Sequence, residues 1–256
     1  MCRKIFIATF DNDAIEVIRE NKIGIELNEI CISDMLDEEK FNDTVSFMKA
    51  QIKNSGAEDV IMHGPFTEIV PASIDHRMLD AGFVRLEEAY RACEILGVKK
   101  MVVHSGYMPP LYQKGWHTDR SVEFWTKFME DKPEDFNIYI ENVLEDEPFM
   151  MKELVERIND KRVRLCLDIG HANWSGADGL PVKNWIKELG PYLAHFHFHN
   201  NFEKSDEHNA IHNGTMDMDE ILEAVYTYCA EDITITIESH ECRESAKWLK
   251  EYIENH

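Results

Sequence analysis

Strand-like and helix-like segments alternate along the chain, and this alternation constrains the fold more than any other feature. Each short apolar run is followed by a stretch with apolar residues at helical spacing. The strand-like segments cover residues 5–10, 24–32, 60–66, 99–106, 136–143, 163–173, 193–201 and 232–240. The helical patterns follow near 12–21, 38–55, 77–97, 119–130, 147–159, 181–188, 217–229 and 242–255.

Strands that alternate with helices indicate a parallel sheet of the α/β class. Eight strand–helix pairs in a chain of 256 residues predict a single (β/α)₈ TIM barrel. A doubly wound open sheet is the main competitor, but no GxGxxG motif follows the first strand. We therefore predict one domain over residues 1–256.

Six of the apolar runs end in a histidine, aspartate or glutamate. They read VIMH (60–63), MVVH (101–104), IYIE (138–141), RLCLD (164–168), AHFHFH (194–199) and ITIE (235–238). Active sites of TIM barrels lie at the carboxyl ends of the strands. Imidazoles and carboxylates both bind divalent metals. The six strand ends therefore predict a metal-binding site at the mouth of the barrel.

Strand alternation predicts which of these side chains point inward. In ITIE, Glu238 shares the inward face with Thr236. The same alternation points Glu141 and Asp168 into the barrel. On the seventh strand, residues 195, 197 and 199 are all histidines on one face, and alternation alone does not decide which of them binds a metal.

The candidates differ in how strongly the sequence supports them. A single histidine at a strand end, such as His63 or His104, is more often an ordinary hydrogen-bonded residue than a ligand. Glu141 and Glu238 are stronger candidates, since carboxylates are rarely buried unless they are paired or bound to metal.

Further candidates lie just beyond the strands. His171 follows Asp168 closely, and Asp206 with His208 lies in the loop after strand seven. Other histidines have no comparable context, and we predict no role in the site for them: His76, His117, His240 and His256.

Composition narrows the range of partners. The net charge is −22, from 49 acidic and 27 basic residues, which disfavours duplex DNA as a ligand. No apolar run is long enough to cross a membrane, and the N-terminus lacks a signal-peptide pattern. We expect no membrane partner and a cytoplasmic location. The six cysteines form no CxxC pair, so a thiolate zinc cluster is not expected.

Seven motifs together resemble a known superfamily over essentially the whole chain. They are MHGPF, VVHSGY, YIENV, CLDIGHAN, HFHFHNN, SDEHNAIHNG and TIESH. The chain resembles the xylose isomerase-like TIM barrels, which include sugar isomerases, sugar epimerases and endonuclease IV-like phosphodiesterases.

The resemblance implies a set of metal ligands. The epimerase branch implies one ion held by Glu141, Asp168, His197 and Glu238, and so selects His197 among the three histidines of strand seven. The endonuclease IV branch implies up to three zinc ions, with Glu141 bridging two of them. Its full ligand set is His63, His104, Glu141, Asp168, His171, His197, Asp206, His208 and Glu238.

Each branch lacks one expected feature here. The DNA-intercalating loop of the endonucleases has no clear counterpart, and the loop between His197 and Asp206 is short. The epimerases usually carry an arginine soon after the strand-seven histidine, whereas this chain reads NNFEKSDEH there.

Three functional hypotheses follow. The first is hydrolysis of a phosphoester on a small phosphorylated or sugar-containing substrate at a multinuclear zinc site, where the ions outweigh the four carboxylates and activate water. The second is isomerisation or epimerisation of a sugar or sugar phosphate with one manganese or magnesium ion, in which Glu141 and Glu238 act as acid and base. The third is a barrel that binds metal or sugar without catalysis.

Loop shape decides the substrate, and the longest irregular stretch covers residues 106–119. We predict that this stretch shapes the pocket. Under the second hypothesis Tyr107, Trp116 and Trp174 are candidates to stack on a sugar, although loop aromatics equally often serve as simple packing. The sequence predicts no oligomeric state.

Overall fold

The chain folds into a closed barrel of eight parallel strands. The structure is a computed structural model that describes residues 4–176 and 179–255. Each strand pairs with the next along the chain, and β8 pairs with β1. The strands are β1 (Ile5–Ala8), β2 (Gly24–Leu27), β3 (Val60–His63), β4 (Lys100–His104), β5 (Asn137–Glu141), β6 (Val163–Asp168), β7 (Leu193–Phe198) and β8 (Thr234–Ile237).

Helices follow the strands and surround the barrel. The α-helices are α1 (Ala14–Asn21), α2 (Glu38–Ser55), α3 (His76–Leu96), α4 (Lys114–Met129), α5 (Phe149–Ile158), α6 (Ile169–Ser175), α7 (Val182–Leu189), α8 (Met218–Tyr228) and α9 (Cys242–Asn255). Short 3₁₀ turns lie at Ser33–Leu36 and Gly190–Tyr192. The predicted (β/α)₈ barrel is confirmed.

Several predicted element bounds were wrong in detail, including the strand predicted over 24–32, which ends at Leu27. The strand predicted over 163–173 ends at Asp168, whose carboxylate caps α6 by accepting a hydrogen bond from the His171 amide at 2.6 Å. Helix α4 begins at Lys114, five residues before the predicted start. The sequence does not predict this first turn because it lacks apolar residues at helical spacing. The irregular stretch before α4 is correspondingly shorter than expected.

The barrel wall separates two apolar layers. Residues on the outer face of the strands, such as Ile235, Ile237 and Phe196, belong to the large core between barrel and helices. A smaller cluster fills the barrel interior, formed by Phe6, Ile61, Val102, Tyr139 and Cys166. The predicted faces of β5, β6 and β8 are therefore confirmed.

A glycine makes room for the Phe6 ring of the inner layer. A Cβ atom at Gly24 would lie 2.3 Å from Cδ1 of Phe6. Because no side chain can occupy that position, the Phe6 ring fills the barrel bottom. The catalytic machinery of a TIM barrel is confined to the opposite end, at the carboxyl ends of the strands.

Among residues 4–176 and 179–255, no helix combines the length and the apolar character needed to cross a bilayer. Cys31, Cys93, Cys166 and Cys242 are free thiols. Cys2 and His256 lie outside the described residues.

Candidate metal centre

Barrel closure brings the polar strand ends together at the mouth. Glu141, Asp168, His197 and Glu238 each place one donor atom within 4.8 Å of the others. His197 Nδ1 lies 2.9 Å from Glu238 Oε2, 3.3 Å from Glu141 Oε1 and 3.8 Å from Asp168 Oδ2. These four residues, from four different strand ends, form the central cluster.

A second group adjoins the central cluster and shares Glu141 with it. His63 Nε2 and His104 Nε2 lie 3.2 and 3.4 Å from Glu141 Oε2. The other oxygen of Glu141 lies 3.3 Å from His171 Nδ1 and from His197 Nδ1. One buried carboxylate is thus surrounded by four imidazoles, the environment that a bridging ligand would have.

The third group lies toward the cavity and includes one residue that was not predicted. Asp206 Oδ2 is 3.2 Å from His171 Nε2 and 3.0 Å from His208 Nε2. His199 joins them, because its Nε2 lies 3.0 Å from Asp168 Oδ1 and its ring stacks on His208 at 3.9 Å. All nine predicted residues therefore converge, while their role as ligands stays a prediction.

The three histidines of strand seven have separate surroundings, although all three point inward and are fully buried. His195 lies deeper and contacts Thr234, His197 faces the central cluster, and His199 reaches the third group. The geometry thus places His197 where the family resemblance put it.

Backbone carbonyls orient several of these imidazoles. His63 donates from Nδ1 to the carbonyl of Gly64 at 3.0 Å. In the same way, Nδ1 of His171 donates to the carbonyl of Asn142 at 2.9 Å. Nδ1 of His208 donates to the carbonyl of Glu238 at 2.7 Å. Because a carbonyl only accepts, Nδ1 of each ring carries a proton, and Nε2 is the nitrogen that faces a carboxylate. This is the arrangement by which proteins prepare histidine for a metal.

Unsatisfied polar atoms at the centre indicate that a cation fits there. Within the described residues, neither carboxylate oxygen of Glu141 has a hydrogen-bond partner, and His197 Nδ1 has none either. Glu141 is 1% exposed and His197 is fully buried. Buried polar groups are normally paired, so orphaned atoms that point at one another fit a bound ion.

The electrostatics of the cluster favour charged carboxylates. Burial by itself would raise the pKa of Glu141, but the neighbouring His197 and His104 outweigh it and hold that pKa well below its usual range. Burial lowers the pKa of His104 to about 3, so this imidazole is neutral at pH 7. Glu141 and His104 therefore have the protonation states that metal binding requires. The neighbouring carboxylates raise the pKa values of His171 and His208 despite burial, so an ion would displace a proton from each of those rings.

Asparagines at the strand ends hold the site in place. The Asn142 side chain donates to the carbonyl of Asp168 and accepts from its amide, which joins the ends of β5 and β6. Asn201 donates to the carbonyl of Gly170, which ties the loop after β7 to α6. His208 has a left-handed backbone with φ of 47°, a strained conformation for a residue other than glycine.

A cavity of about 1010 Å³ opens above the three groups. Its floor carries Glu141, Glu238 and the histidines, and its wall is formed by the β2–α2 segment. The wall residues include Asn28, Glu29, Cys31, Ile32, Met35, Glu39, Lys40, Asp43, Thr44 and Phe47. Phe10 and Phe66 complete the rim, and Phe66 stacks on His104 at 4.3 Å.

The prediction about the pocket loop was wrong. No residue of 106–119 lines this cavity, and neither does Trp174. Tyr107 is buried against His117 instead, at a ring separation of 5.2 Å. His240, for which no role was predicted, does line the cavity and contacts Phe10. The wall comes from a segment whose amphipathic pattern carries no signal of cavity contact.

Sequence reasoning also missed Glu26 on β2. This glutamate is fully buried and hydrogen-bonds to both His195 and His197 at 3.0 Å. The signal was present in GIEL, where alternation places Glu26 inward and its two apolar neighbours outward. The pattern of polar strand ends does not include Glu26, because this residue lies inside β2 and not at its end.

Comparisons with known proteins agree with the fold. A family profile described as xylose isomerase-like TIM barrel matches residues 8–252. An uncharacterized protein of Methanocaldococcus jannaschii is 30% identical over 209 residues, which are 77% of this chain and 70% of that protein.

Solved structures with the same fold include a D-tagatose 3-epimerase-like protein, with a TM-score of 0.77, 23% identity and coverage of 98% of this chain and 97% of that one. A protein of Thermus thermophilus soaked with zinc chloride has a TM-score of 0.76 at 17% identity, over 100% and 99% of the two chains. D-allulose 3-epimerase from Methylomonas sp., in complex with D-allulose, has a TM-score of 0.75 at 15% identity, over 97% and 96%.

Proposed function

The chain belongs to the xylose isomerase-like TIM barrels, and from that premise we propose that it is a divalent-metal-dependent isomerase or epimerase of a small sugar-type substrate. One observation carries the proposal. Two buried carboxylates from different strand ends, Glu141 and Glu238, reach the same imidazole at the floor of one cavity. Such a pair can divide the roles of acid and base when neighbouring groups separate their pKa values.

The central cluster would hold the ion through Glu141, Asp168, His197 and Glu238. Its orphaned, buried donor atoms support that assignment. A divalent ion bound there would polarise a substrate carbonyl or hydroxyl. Mixed carboxylate and imidazole donors suit manganese as well as zinc, so the donor set admits either ion.

The chemistry of the chain's own residues is a proton transfer. One carboxylate removes a proton from the substrate carbon next to the carbonyl, and a proton is returned to the same or the neighbouring carbon. No net oxidation occurs, since the substrate is only rearranged. The neutral His104 beside Glu141 is placed to bind a substrate hydroxyl, as is His63.

The charge of the cavity supports a neutral sugar over a phosphorylated one. Among the described residues that line the cavity, Lys40 is the single lysine or arginine, and its ammonium group forms an ion pair with the Asp34 carboxylate at 2.6 Å. The wall also carries the carboxylates of Glu29, Glu39 and Asp43. The similarity to sugar epimerases, one of them holding D-allulose, points in the same direction.

Phosphoester hydrolysis at a multinuclear zinc site is the second candidate, and a specific observation favours it. The nine predicted donor residues, together with His199, form three adjoining groups, and Glu141 lies beside four imidazoles. Three zinc ions would supply positive charge for a phosphate in this acidic cavity. The similarity to a zinc-soaked Thermus protein is compatible with this candidate.

Proton exchange in heavy water separates the two candidates. The protein, purified without a tag and loaded with manganese, is incubated with a panel of ketoses and aldoses, and exchange of carbon-bound protons is followed by NMR. We expect exchange with at least one sugar, and a loss of about a hundredfold or more in Glu238→Gln.

Asp206→Asn is the matched comparison, because Asp206 belongs to the third group alone. Under the isomerase proposal this variant keeps the exchange reaction. The hydrolase makes three different predictions: the wild type turns over a phosphoester and both variants do not, metal analysis finds about three zinc ions per chain, and no sugar proton exchanges. These results together would refute the isomerase proposal and establish the hydrolase.

A further inference from the structure

A fully buried carboxylate lies beneath the central cluster, inside the barrel. Glu26 on β2 is 0% exposed. Its Oε1 lies 3.0 Å from His197 Nε2, and its Oε2 lies 3.0 Å from His195 Nε2 and 2.5 Å from Thr236 Oγ1. Both of its ion-pair partners among the described residues are imidazoles, so no lysine or arginine compensates its charge there.

The two nitrogens of His197 face different groups. Nε2 faces Glu26, and Nδ1 faces Glu141 and Glu238. An ionised carboxylate only accepts hydrogen bonds, so the nitrogen bonded to Glu26 must carry the proton. We propose that Glu26 is the positioning residue of the metal centre: it holds His197 as the Nε2–H tautomer and so leaves the Nδ1 lone pair for the ion.

The inference rests on the proposed metal centre and adds a residue that the ligand set does not contain. His197 needs this device because of its location within β7. Histidines just beyond or at the ends of strands find a free backbone carbonyl, as His63, His171 and His208 do. Within a strand the carbonyls belong to the sheet ladder, so a side chain must supply the acceptor.

A carboxylate differs from a carbonyl in what it gives the ligand. A charge-assisted hydrogen bond is stronger than a neutral one and increases the basicity of the imidazole. It also adds one negative charge beside the ion. We therefore expect Glu26 to contribute to metal affinity and not only to the shape of the site.

Neighbouring groups hold Glu26 in this orientation. The Thr236 hydroxyl donates to Oε2, and His195 occupies the same oxygen. His195 is in turn fixed by Thr234, whose Oγ1 lies 2.6 Å from its Nδ1. The chain of contacts links β2, β7 and β8, so the carboxylate has little freedom to rotate away from His197.

The decisive variant is Glu26→Gln, because an amide preserves size but can donate to Nε2 and reverse the tautomer. The metal affinity of the full-length protein is measured with manganese and zinc by competition with a chelator. We expect Glu26→Gln to bind each ion about 10- to 100-fold more weakly.

Glu145→Gln is the matched control. Glu145 is also a buried glutamate at 1% exposure, but it accepts hydrogen bonds from Ser105 and from the Val143 amide and not from a cluster histidine. We expect the affinity of this variant to match the wild type. Equal losses in both variants would mean that removing any buried carboxylate weakens the site, and would overturn the role of Glu26.

A tautomer measurement tests the inference on the wild-type protein and does not depend on the folding of Glu26→Gln. Burial would lower the pKa of His197, but the charged groups around the ring raise that pKa well above its usual value. Long-range ¹H–¹⁵N NMR on the metal-free protein with ¹⁵N-labelled histidine is therefore recorded above that pKa, where it shows which nitrogen of the neutral ring is protonated, and the spectrum of His197→Gln identifies its signal. We expect Nε2–H in the wild type and Nδ1–H in Glu26→Gln. An Nδ1–H tautomer in the wild type would refute the inference even if Glu26→Gln failed to fold.

Failure of the proposed reaction is distinguishable from failure of this inference. A protein that binds metal with Glu26-dependent affinity but exchanges no sugar proton would refute the isomerase proposal alone. Unchanged metal affinity in Glu26→Gln, with sugar exchange intact in the wild type, would refute the role of Glu26 alone.

Discussion

Gly170 lies where the ring of His199 occupies the space that a side chain would need. A Cβ atom at this position would come within 2.0 Å of His199 Cε1. The ring of His199 therefore reaches Asp168 only because residue 170 has no side chain. A single methyl group at Gly170 would displace a residue of the third group.

We expect Gly170→Ala to destabilise the protein by about 1–3 kcal/mol, the usual cost of adding a group to a packed site. Gly115→Ala is the control, since a Cβ at Gly115 would have no neighbour within 4 Å. Because Gly115 lies in α4, its replacement should be neutral or stabilising by up to about 1 kcal/mol. Urea unfolding of both variants measures the difference, and equal stabilities would contradict the expectation.

Single residues of the site were predictable to the extent that strand alternation and strand ends reveal them. Alternation placed Glu141, Asp168 and Glu238 correctly toward the barrel axis. It could not separate the histidines of β7, because their roles depend on what other strands place opposite them. Glu26 is part of that missing information: only barrel closure brings β2 beside His197.

Helix α4 carries a buried histidine that is outside the candidate centre. His117 is 1% exposed, its Nε2 lies 3.3 Å from Ser121 Oγ, and its Nδ1 has no hydrogen-bond partner among the described residues. Burial lowers the pKa of His117 to about 4. The fold therefore accepts the neutral ring and resists its protonation.

This pKa predicts how acid affects stability. A histidine whose pKa is lowered by folding contributes its full stability above its ordinary value of 6.5 and loses it as the pH falls toward about 4. At pH 5 the loss should be about 2 kcal/mol. We expect the free energy of unfolding of the wild type to fall by that amount more than that of His117→Phe between pH 7.5 and 5. Parallel losses in the two proteins would contradict a buried, neutral His117.

Elements were predictable where periodicity was strong and less so where a loop or cap decides. The eight strands carry clear apolar runs, and all eight are present. Helix α6 escaped notice because a single contact starts it, from the Asp168 carboxylate to the His171 amide. The sequence did not predict the cavity wall, because tertiary packing and not local sequence decides how the β2–α2 segment folds over the mouth.

At the scale of the whole molecule, the barrel concentrates negative charge at one end. The net charge of −22 includes the carboxylates of Glu141, Asp168, Asp206 and Glu238 at the mouth, with Glu26 below them. Burial by itself would raise the pKa values of Glu141 and Asp206, but the imidazoles beside them hold both pKa values below their usual range, so these carboxylates are ionised without metal. A divalent cation that binds these ionised donors in the folded state and not in the unfolded chain stabilises the fold, so metal and fold stability should be coupled.

Removal of metal should therefore lower the melting temperature. An ion present at a hundred times its dissociation constant stabilises the folded state by about 2.7 kcal/mol. For a chain of this size that corresponds to a shift of roughly 5–11 °C. We expect a chelator to lower the melting temperature by that amount in calorimetry, and re-addition of manganese or zinc to restore it.

Glu141→Gln provides the control for this coupling, because Glu141 is shared by two of the three groups. Without this charge the cluster binds an ion more weakly, so the variant should melt at nearly the same temperature with and without chelator. If the wild type holds metal by chemical analysis and yet melts unchanged in chelator, the ion does not bind at the barrel mouth. An equal shift in both proteins would place the stabilising ion elsewhere on the surface.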